Sequence, residues 1–319
     1  MTYSNCWLNM PDGQSLLLHS WLPALQPVRA WIAISHGMAE HGGRYARLAE
    51  ALNQQGYAVA ALDQRGHGRS AECGKRGHFA DQDGWHKATG DIALMLAHCR
   101  EQLPDLPLFL LGHSMGSYLV QGYLINHPAT PDLAGVILSG STAHPPMLSR
   151  FGLLAARLEG RLRGESVLAT SMQRLSFGQF NQAFQPNRTD FDWLSRDPME
   201  VDAYIQDPLC GFAVTARLWQ DLFGGLLDIA RRNRLAAIQR DLPLFIVGGG
   251  ADPVSAGKGL LRLRQRLVDA GLTAVSLRLY DDARHELFNE INRDEVVSDL
   301  LEWLATHQPK TTEATHVPT

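Results

Sequence analysis

The run Gly112-His113-Ser114-Met115-Gly116 sets one serine between two glycines, a spacing that suits nucleophilic catalysis. A serine hydroxyl is a weak nucleophile unless it stands clear of its neighbours beside a base. A sharp strand-to-helix turn lifts it clear. Glycines two residues to either side remove side chains that would collide where strand and helix meet. The pentapeptide alone is common. Here the apolar run of residues 106–111 precedes it, and a helical stretch, 114–126, follows and stops at His127-Pro128, which is the context that gives the pattern meaning.

A serine nucleophile needs a base and an acid to orient it, and in enzymes with this turn they follow as acid, then histidine. Of thirteen histidines, only His285, His307 and His316 lie after the last candidate acid. His307 and His316 belong to the final helix and the tail. His285 directly follows a predicted strand, 275–280, and so hangs from a sheet edge. Asp252 follows the apolar run 244–247 through Gly248-Gly249-Gly250-Ala251. A carboxylate there can accept the imidazole Nδ1–H, fix the tautomer and stabilise the imidazolium. Asp281 and Asp282 lie too near His285 in sequence to face its ring, and both, with Glu286, read as solvated loop charges. The glycine run lacks the spacing of a dinucleotide fingerprint.

Charge developing on a carbonyl oxygen needs donors already in place. The N–H of Met115 is one candidate. The other is the N–H of Met38, in the loop His36-Gly37-Met38-Ala39-Glu40-His41 that follows the predicted strand 30–35. His36 and His41 lack a third ligand at metal spacing, so no metal is expected, and His36 reads as a brace for the loop.

These groups must be held by a scaffold, and the rest of the chain alternates short apolar runs with helical periods. That is the pattern of βαβ units around a mostly parallel sheet, an α/β fold. Strands are predicted at 16–22, 30–35, 57–62, 106–111, 136–139, 244–247 and 275–280. Helices are predicted at 85–102, 114–126, 258–270 and 295–306. Residues 143–242 break the rhythm and are too long for a loop. They read as a helical cap over the carboxyl ends of the strands, with helical content at 148–163, around 190–196 and at 214–232. The core is then 1–142 with 243–307, and residues 308–319 form a disordered tail.

The chain has 319 residues, 45% hydrophobic and 19% charged, with a net charge of −4 and scattered Lys and Arg. That excludes a concentrated basic face for nucleic acid. Four cysteines, widely spaced and without a CxxC pair, suit buried thiols better than a disulfide frame. Residues 1–10 lack the charge and apolar core of a signal peptide, and no apolar run approaches membrane-spanning length. The expected location is the cytoplasm.

Taken together, His36-Gly37 with Glu40-His41 and Arg44-Tyr45, Asp63 with Arg65-Gly66-His67-Gly68 and Ser70, Gly112 to Gly116, Asp252 and His285-Glu286 resemble the monoglyceride lipase and bacterial lysophospholipase branch of the α/β-hydrolases, which includes serine aminopeptidase-like enzymes. The resemblance covers nearly the whole chain, the cap least specifically. It implies an eight-stranded sheet with a helical cap between the sixth and seventh strands, no cofactor, and hydrolysis of glycerol or phosphoglycerol monoesters of fatty acids. It carries nucleophile, acid and base onto Ser114, Asp252 and His285, and the oxyanion amides onto Met38 and Met115. One departure is Ser117, where glycine is common. Residues 63–70 read as structural, their charges pairing neighbouring turns.

In the cap, Met147, Leu148, Phe151, Leu154, Leu158 and Leu162 recur at helical spacing. Met147, Leu148 and Phe151 are candidate substrate contacts. An acyl channel, or transient membrane contact aided by Arg150, Arg157, Arg161 and Arg163, is one reading of the stripe. Packing on the core, the commoner fate of such stripes, is the reading preferred here. Phe177, Phe180, Phe184, Phe191, Trp193 and Trp219 offer an aromatic lining. The expected partner is a small-molecule acyl ester, the oligomeric state being open. A triad of this kind also serves peptidases and acyltransferases, and the fold occurs in non-catalytic binding proteins. Epoxide and haloalkane hydrolysis need a carboxylate where this chain has Ser114.

Overall fold

The computed structural model describes residues 1–128, 133–255 and 258–308, without the side chains of 175–177. The chain begins with an antiparallel hairpin, β1 (Thr2–Asn9) and β2 (Ser15–Leu22). There follow β3 (Ala30–Ser35), α1 (Ala46–Asn53), β4 (Tyr57–Leu62), α2 (Gly84–Gln102), β5 (Leu108–His113), α3 (Met115–Asn126) and β6 (Leu133–Ser139). Between β6 and β7 the chain forms α4 (Pro146–Arg163), α5 (Thr170–Phe180), α6 (Pro198–Gln206), α7 (Ala216–Ile229) and the short α8 (Arg232–Leu235). It closes with β7 (Leu244–Gly249), α9 (Lys258–Asp269), β8 (Val275–Tyr280) and α10 (Arg293–His307).

The eight strands form one sheet in the order β1-β2-β4-β3-β5-β6-β7-β8. From β4 through β8 every neighbouring pair is parallel, and β2 meets β4 antiparallel. β3 lies between β4 and β5, so the chain leaves it towards one side and later returns on the other. That reversal opens a crevice at the carboxyl ends of β3 and β5, where α/β sheets bind ligands. The loop after β3 carries Met38, and the turn after β5 carries Ser114.

Strand residues alternate between two cores. Trp31 and Ala33 of β3, with Leu108 and Leu110 of β5, face a core completed by α2, α3 and α9. Ile32, Ile34, Phe109 and Leu111 face a second, closed by Leu48 and Leu52 of α1 and Leu300, Trp303 and Leu304 of α10. Both faces of the sheet are therefore covered, which is why its central strands read as unbroken apolar runs.

β1 escapes the sequence pattern because it is an edge strand of mixed residues, exposed apart from Cys6 and Leu8. The segment 190–196 is not helical. The Asp192 carboxylate accepts hydrogen bonds from the N–H groups of Arg188 and Thr189 and from the Thr189 hydroxyl, and such side-chain bonds compete with helix. The helices lie to either side, α5 before it and α6 after it, the latter started by Asp197 accepting from Met199 N–H with Pro198 at its first position.

The stripe of α4 is the clearest correction. Met147, Leu148, Phe151, Leu154, Leu158 and Leu162 do not pack on the core, and all are 56–74% exposed. The helix instead turns a small-residue face inward, burying Ser149, Ala156 and Gly160. A Cβ on Gly152 would come within 2.5 Å of the Phe223 ring of α7. Small side chains let two helices approach closely, and the large ones are left outside.

The loop 63–70 is structural, as its residue types imply. Asp63 accepts from His19 and from the N–H groups of Gly42 and Arg69. Arg65, 2% exposed, donates to Asp91 at 2.5 and 2.8 Å and to Asp12 at 2.8 and 3.1 Å. No helix among the described residues is long and apolar enough to cross a membrane. The tail of residues 309–319 lies outside the described residues. Burial pushes the Asp91 carboxyl up, to about 6, against the pull of Arg65. Replacing Arg65 by Met strands that group and is expected to cost about 3 kcal/mol or more, read from the urea midpoint at neutral pH, with a smaller loss below pH 6.

Candidate active site

Ser114 sits where β5 turns into α3, with φ 51° and ψ −120°, a conformation a non-glycine residue holds only when its surroundings impose it. Its N–H donates to Ser139 O of β6 at 2.9 Å, and its carbonyl accepts from Ser117 N–H and, at 2.6 Å, the Ser117 hydroxyl. The departure at 117 thus supports the turn. A Cβ on Gly116 would lie 2.0 Å from Ser35 O and 2.4 Å from His36 O. Only glycine allows α3 to start so close under β3.

His285 and Asp252 meet at this rim. The imidazole Nδ1 lies 3.1 Å from Asp252 Oδ2, and both residues are buried. Asp252 also accepts from Val254 N–H. Gly140, at φ 57°, leaves room for the ring, since a Cβ there would fall 2.9 Å from His285 Cε1. The ring stands 4.8 Å from that of His113 and 5.0 Å from that of Trp193. Among the described residues Ser114 and His285 form no hydrogen bond to each other, but both line one cavity of about 680 Å³. Such bonds are often long before substrate binds. Burial opposes the charged imidazole, yet the charge and hydrogen bond of Asp252, reinforced by Glu286 and Glu40, raise the His285 pKa above its ordinary value. His113, buried beside it without such a partner, is pushed down to about 3 and stays neutral.

Met38 and Met115 line the same cavity. The Met115 N–H opens α3 and has no preceding helical turn to satisfy it. The loop bearing Met38 is held on several sides. His36 Nδ1 bonds Gly37 O at 2.8 Å, and its Nε2 accepts from Gln64 N–H. Gly37 N–H donates to Glu40 at 2.5 Å. Ala39 O accepts from Gly211 N–H and the Tyr204 hydroxyl. His36 therefore braces the loop, and burial holds it neutral with a pKa of about 4. His41 lies against Asp207 and Cys210, their polar atoms within 4.8 Å of one another, a grouping hidden by sequence distance. Its two nitrogens already bond Asp207 and Gly43 N–H.

Glu286 is not a solvated charge. It is buried and takes two bonds of 2.7 Å from Arg44, which also donates to Glu40 at 2.8 Å. Burial would raise the Glu286 carboxyl, but the Arg44 charge and bonds hold it below the usual range. Asp281 and Asp282 are exposed, as read. The turn at 190–196 shapes the site through its backbone: Trp193 O and Leu194 O accept from His285 and Glu286 N–H.

The cavity is lined mainly by apolar side chains, including Leu148, Phe151, Met172, Phe180, Trp193, Trp219, Leu222 and Phe223. Met147 stands outside it, exposed on α4. Phe184 and Phe191 pack instead in a small cluster around Trp193 and Tyr204, and the Phe177 side chain lies outside the described residues.

The family profile described as serine aminopeptidase, S33, matches residues 26–292. The chain belongs to that family. It is an α/β-hydrolase, and an enzyme of the hydrolase class. It is 30% identical over 298 residues to the monoacylglycerol lipase of Mycolicibacterium smegmatis, covering 92% of this chain and 94% of that one. It is 32% identical over 286 residues to the monoglyceride lipase of Homo sapiens, with 88% and 82% covered. A thermostable carboxyl esterase of Bacillus coagulans, solved with glycerol, superposes with a TM-score of 0.88 at 25% identity, over 97% of this chain and all of that one.

The His285 imidazole is expected to titrate above the usual histidine value in NMR spectra of the ring. In Asp252→Asn its midpoint should drop below that of the parent protein, because burial then acts without the opposing charge. An unmoved midpoint would show that Asp252 does not set it.

Proposed function

We propose that the protein hydrolyses the ester of monoacylglycerols through an acyl-enzyme on Ser114. Ser114 Oγ attacks the ester carbonyl while its proton passes to His285 Nε2. The bond from carbonyl carbon to glycerol oxygen then breaks, and the imidazolium gives its proton to that oxygen. A water, deprotonated by the same ring, releases the fatty acid. Asp252 keeps the Nδ1–H tautomer and stabilises the imidazolium. The N–H groups of Met38 and Met115 receive the oxyanion, each donor worth on the order of 10²–10³ in rate.

The observation that carries this reading is the opening of the elbow serine and the buried His285–Asp252 pair onto one mostly apolar cavity of about 680 Å³, a size suited to a single lipid chain with its head group. The names of its relatives support the same substrate class. An aminopeptidase would need a carboxylate free to meet a substrate ammonium. Glu40 and Glu286, the carboxylates that line the cavity, are both bonded to Arg44, which favours the ester.

Residues 143–242 act as a cap on a core of 1–142 and 243–307, and Leu148 and Phe151 guide the acyl chain. The exposed apolar stripe of α4, with Arg150, Arg157 and Arg161 on the same helix, makes transient contact with a lipid surface.

Ser114→Ala is expected to lower turnover of a monoacylglycerol and of a p-nitrophenyl acyl ester by on the order of 10⁴ or more, with loss of fluorophosphonate labelling at that residue. Activity surviving in the variant would remove Ser114 from the reaction. Parent activity should fall as pH drops through the raised His285 pKa, since only the neutral ring accepts the proton.

A further inference from the structure

Ala39 stands at φ 56°, in the left-handed region that a residue with a Cβ keeps only under outside constraint. It is fully buried and directly follows Met38, so its angles set the course of the chain leaving the N–H assigned to the oxyanion. Two donors meet its carbonyl oxygen, and both come from the segment between β6 and β7. The Tyr204 hydroxyl of α6 donates at 2.9 Å, and Gly211 N–H at 2.9 Å. A third tie lies two residues on. His41 Nδ1 accepts from Gly43 N–H, so Nε2 carries the proton and donates to Asp207 Oδ2 at 2.9 Å.

The Met38 N–H belongs to the planar peptide group that begins at Gly37 C=O, and the two bonds point in opposite directions. On the near side this group is held from within the core. His36 Nε2 accepts from Gln64 N–H, so Nδ1 is the donor to Gly37 O at 2.8 Å, and Glu40 accepts from Gly37 N–H at 2.5 Å. On the far side it runs into the strained Ala39, where the bonds are those from Tyr204 and Gly211. Tyr204 is fixed in turn by the Arg44 guanidinium, 4.9 Å from its ring centroid. Burial pushes its phenol well above the ordinary value, so the hydroxyl stays a donor. The turn that presents Gly211 is closed by Asp207, whose carboxylate accepts from Leu209 N–H at 2.8 Å and whose carbonyl accepts from Cys210 N–H at 3.0 Å.

We propose that Tyr204 is a positioning residue for the oxyanion donor: through Ala39 O its hydroxyl holds Ala39 left-handed and so keeps Met38 N–H aimed into the cavity. The segment between β6 and β7 then completes the catalytic machinery as well as lining the cavity. Without the hydroxyl, Ala39 relaxes towards negative φ and the donor turns away from the oxygen it must meet. Ground-state binding of the acyl chain is unaffected, since the oxyanion exists only on the way through the reaction. This rests on the ester-hydrolase reading above, and on Met38 as an oxyanion donor.

The test compares the full-length parent with Tyr204→Phe, which keeps the ring over Arg44 and removes the hydroxyl. Three quantities are measured: kcat and KM on a p-nitrophenyl acyl ester, inhibition by an alkyl trifluoromethyl ketone, and binding of hexadecylglycerol, a non-hydrolysable ether, by tryptophan fluorescence. Ser114 Oγ adds to the ketone carbonyl, its proton passes to His285, and the adduct carries the oxyanion. Because the donor is misdirected rather than removed, kcat and ketone affinity are each expected to fall about tenfold. KM, ether affinity and the pH midpoint of kcat should stay at the parent values. Adding Ala39→Gly to Tyr204→Phe should restore much of the loss, because glycine takes positive φ without strain. Unchanged kcat and ketone affinity in Tyr204→Phe would overturn the proposal, as would an equal loss of ether affinity, which marks a substrate contact or damaged packing. A double variant no better than Tyr204→Phe would show that the hydroxyl does not act through Ala39. A parent that cleaves the p-nitrophenyl ester but no monoacylglycerol would sink the proposed substrate alone, since the ketone and ether still report on the loop.

Discussion

Arg44 holds together two loops that the sequence separates by more than two hundred positions. Its guanidinium reaches Glu40, which fixes the turn of the loop after β3, and Glu286, which directly follows the imidazole that meets Asp252. Burying three charges is costly, and a pair of this kind seldom adds stability over apolar packing. What it does supply is geometry, because a planar guanidinium gripping one carboxylate through two parallel bonds has little freedom to rotate. The loop with Met38 and the loop with His285 are thus set relative to each other by one side chain, and the His285 ring is set against β7 by another.

The sheet makes this meeting feasible. Parallel strands send all their carboxyl ends to one rim, and the reversal of direction around β3 parts the loops there enough to leave a crevice. Glycines at 116 and 140 then allow approaches that a single methyl group would prevent. The segment between β6 and β7 is tied to the rim through Trp193 O, Leu194 O and Ala39 O, so segment and rim share backbone bonds as well as side-chain packing.

Much of this was legible in the sequence, because strong local signals coincided with the elements that matter. The strands β3, β4 and β8 fall at the predicted bounds, and the elbow lies between an apolar run and a helix. His285 and Asp252 could be read from their places after predicted strands. Less legible was whatever depends on distant partners. Glu286 looks like any loop carboxylate until Arg44 is beside it. The α4 stripe follows the pattern of a core-facing helix, and only the contact of Gly152 with Phe223 shows that the small face went inward. The turn at 190–196 was decided by Asp192 capturing backbone N–H groups, a local competition that helical periodicity cannot register. β1 turns only Cys6 and Leu8 inward, an alternation too short to stand out in the sequence.

The backbone angle at residue 114 also restricts which amino acid can occupy the elbow. Threonine offers the same hydroxyl, but its second branch at Cβ is poorly tolerated at positive φ. Cysteine, unbranched, would fit the angle. The turn that exposes the hydroxyl therefore leaves serine as the only alcohol able to stand there, so the chemistry at this position is limited by chain conformation before any question of reactivity arises.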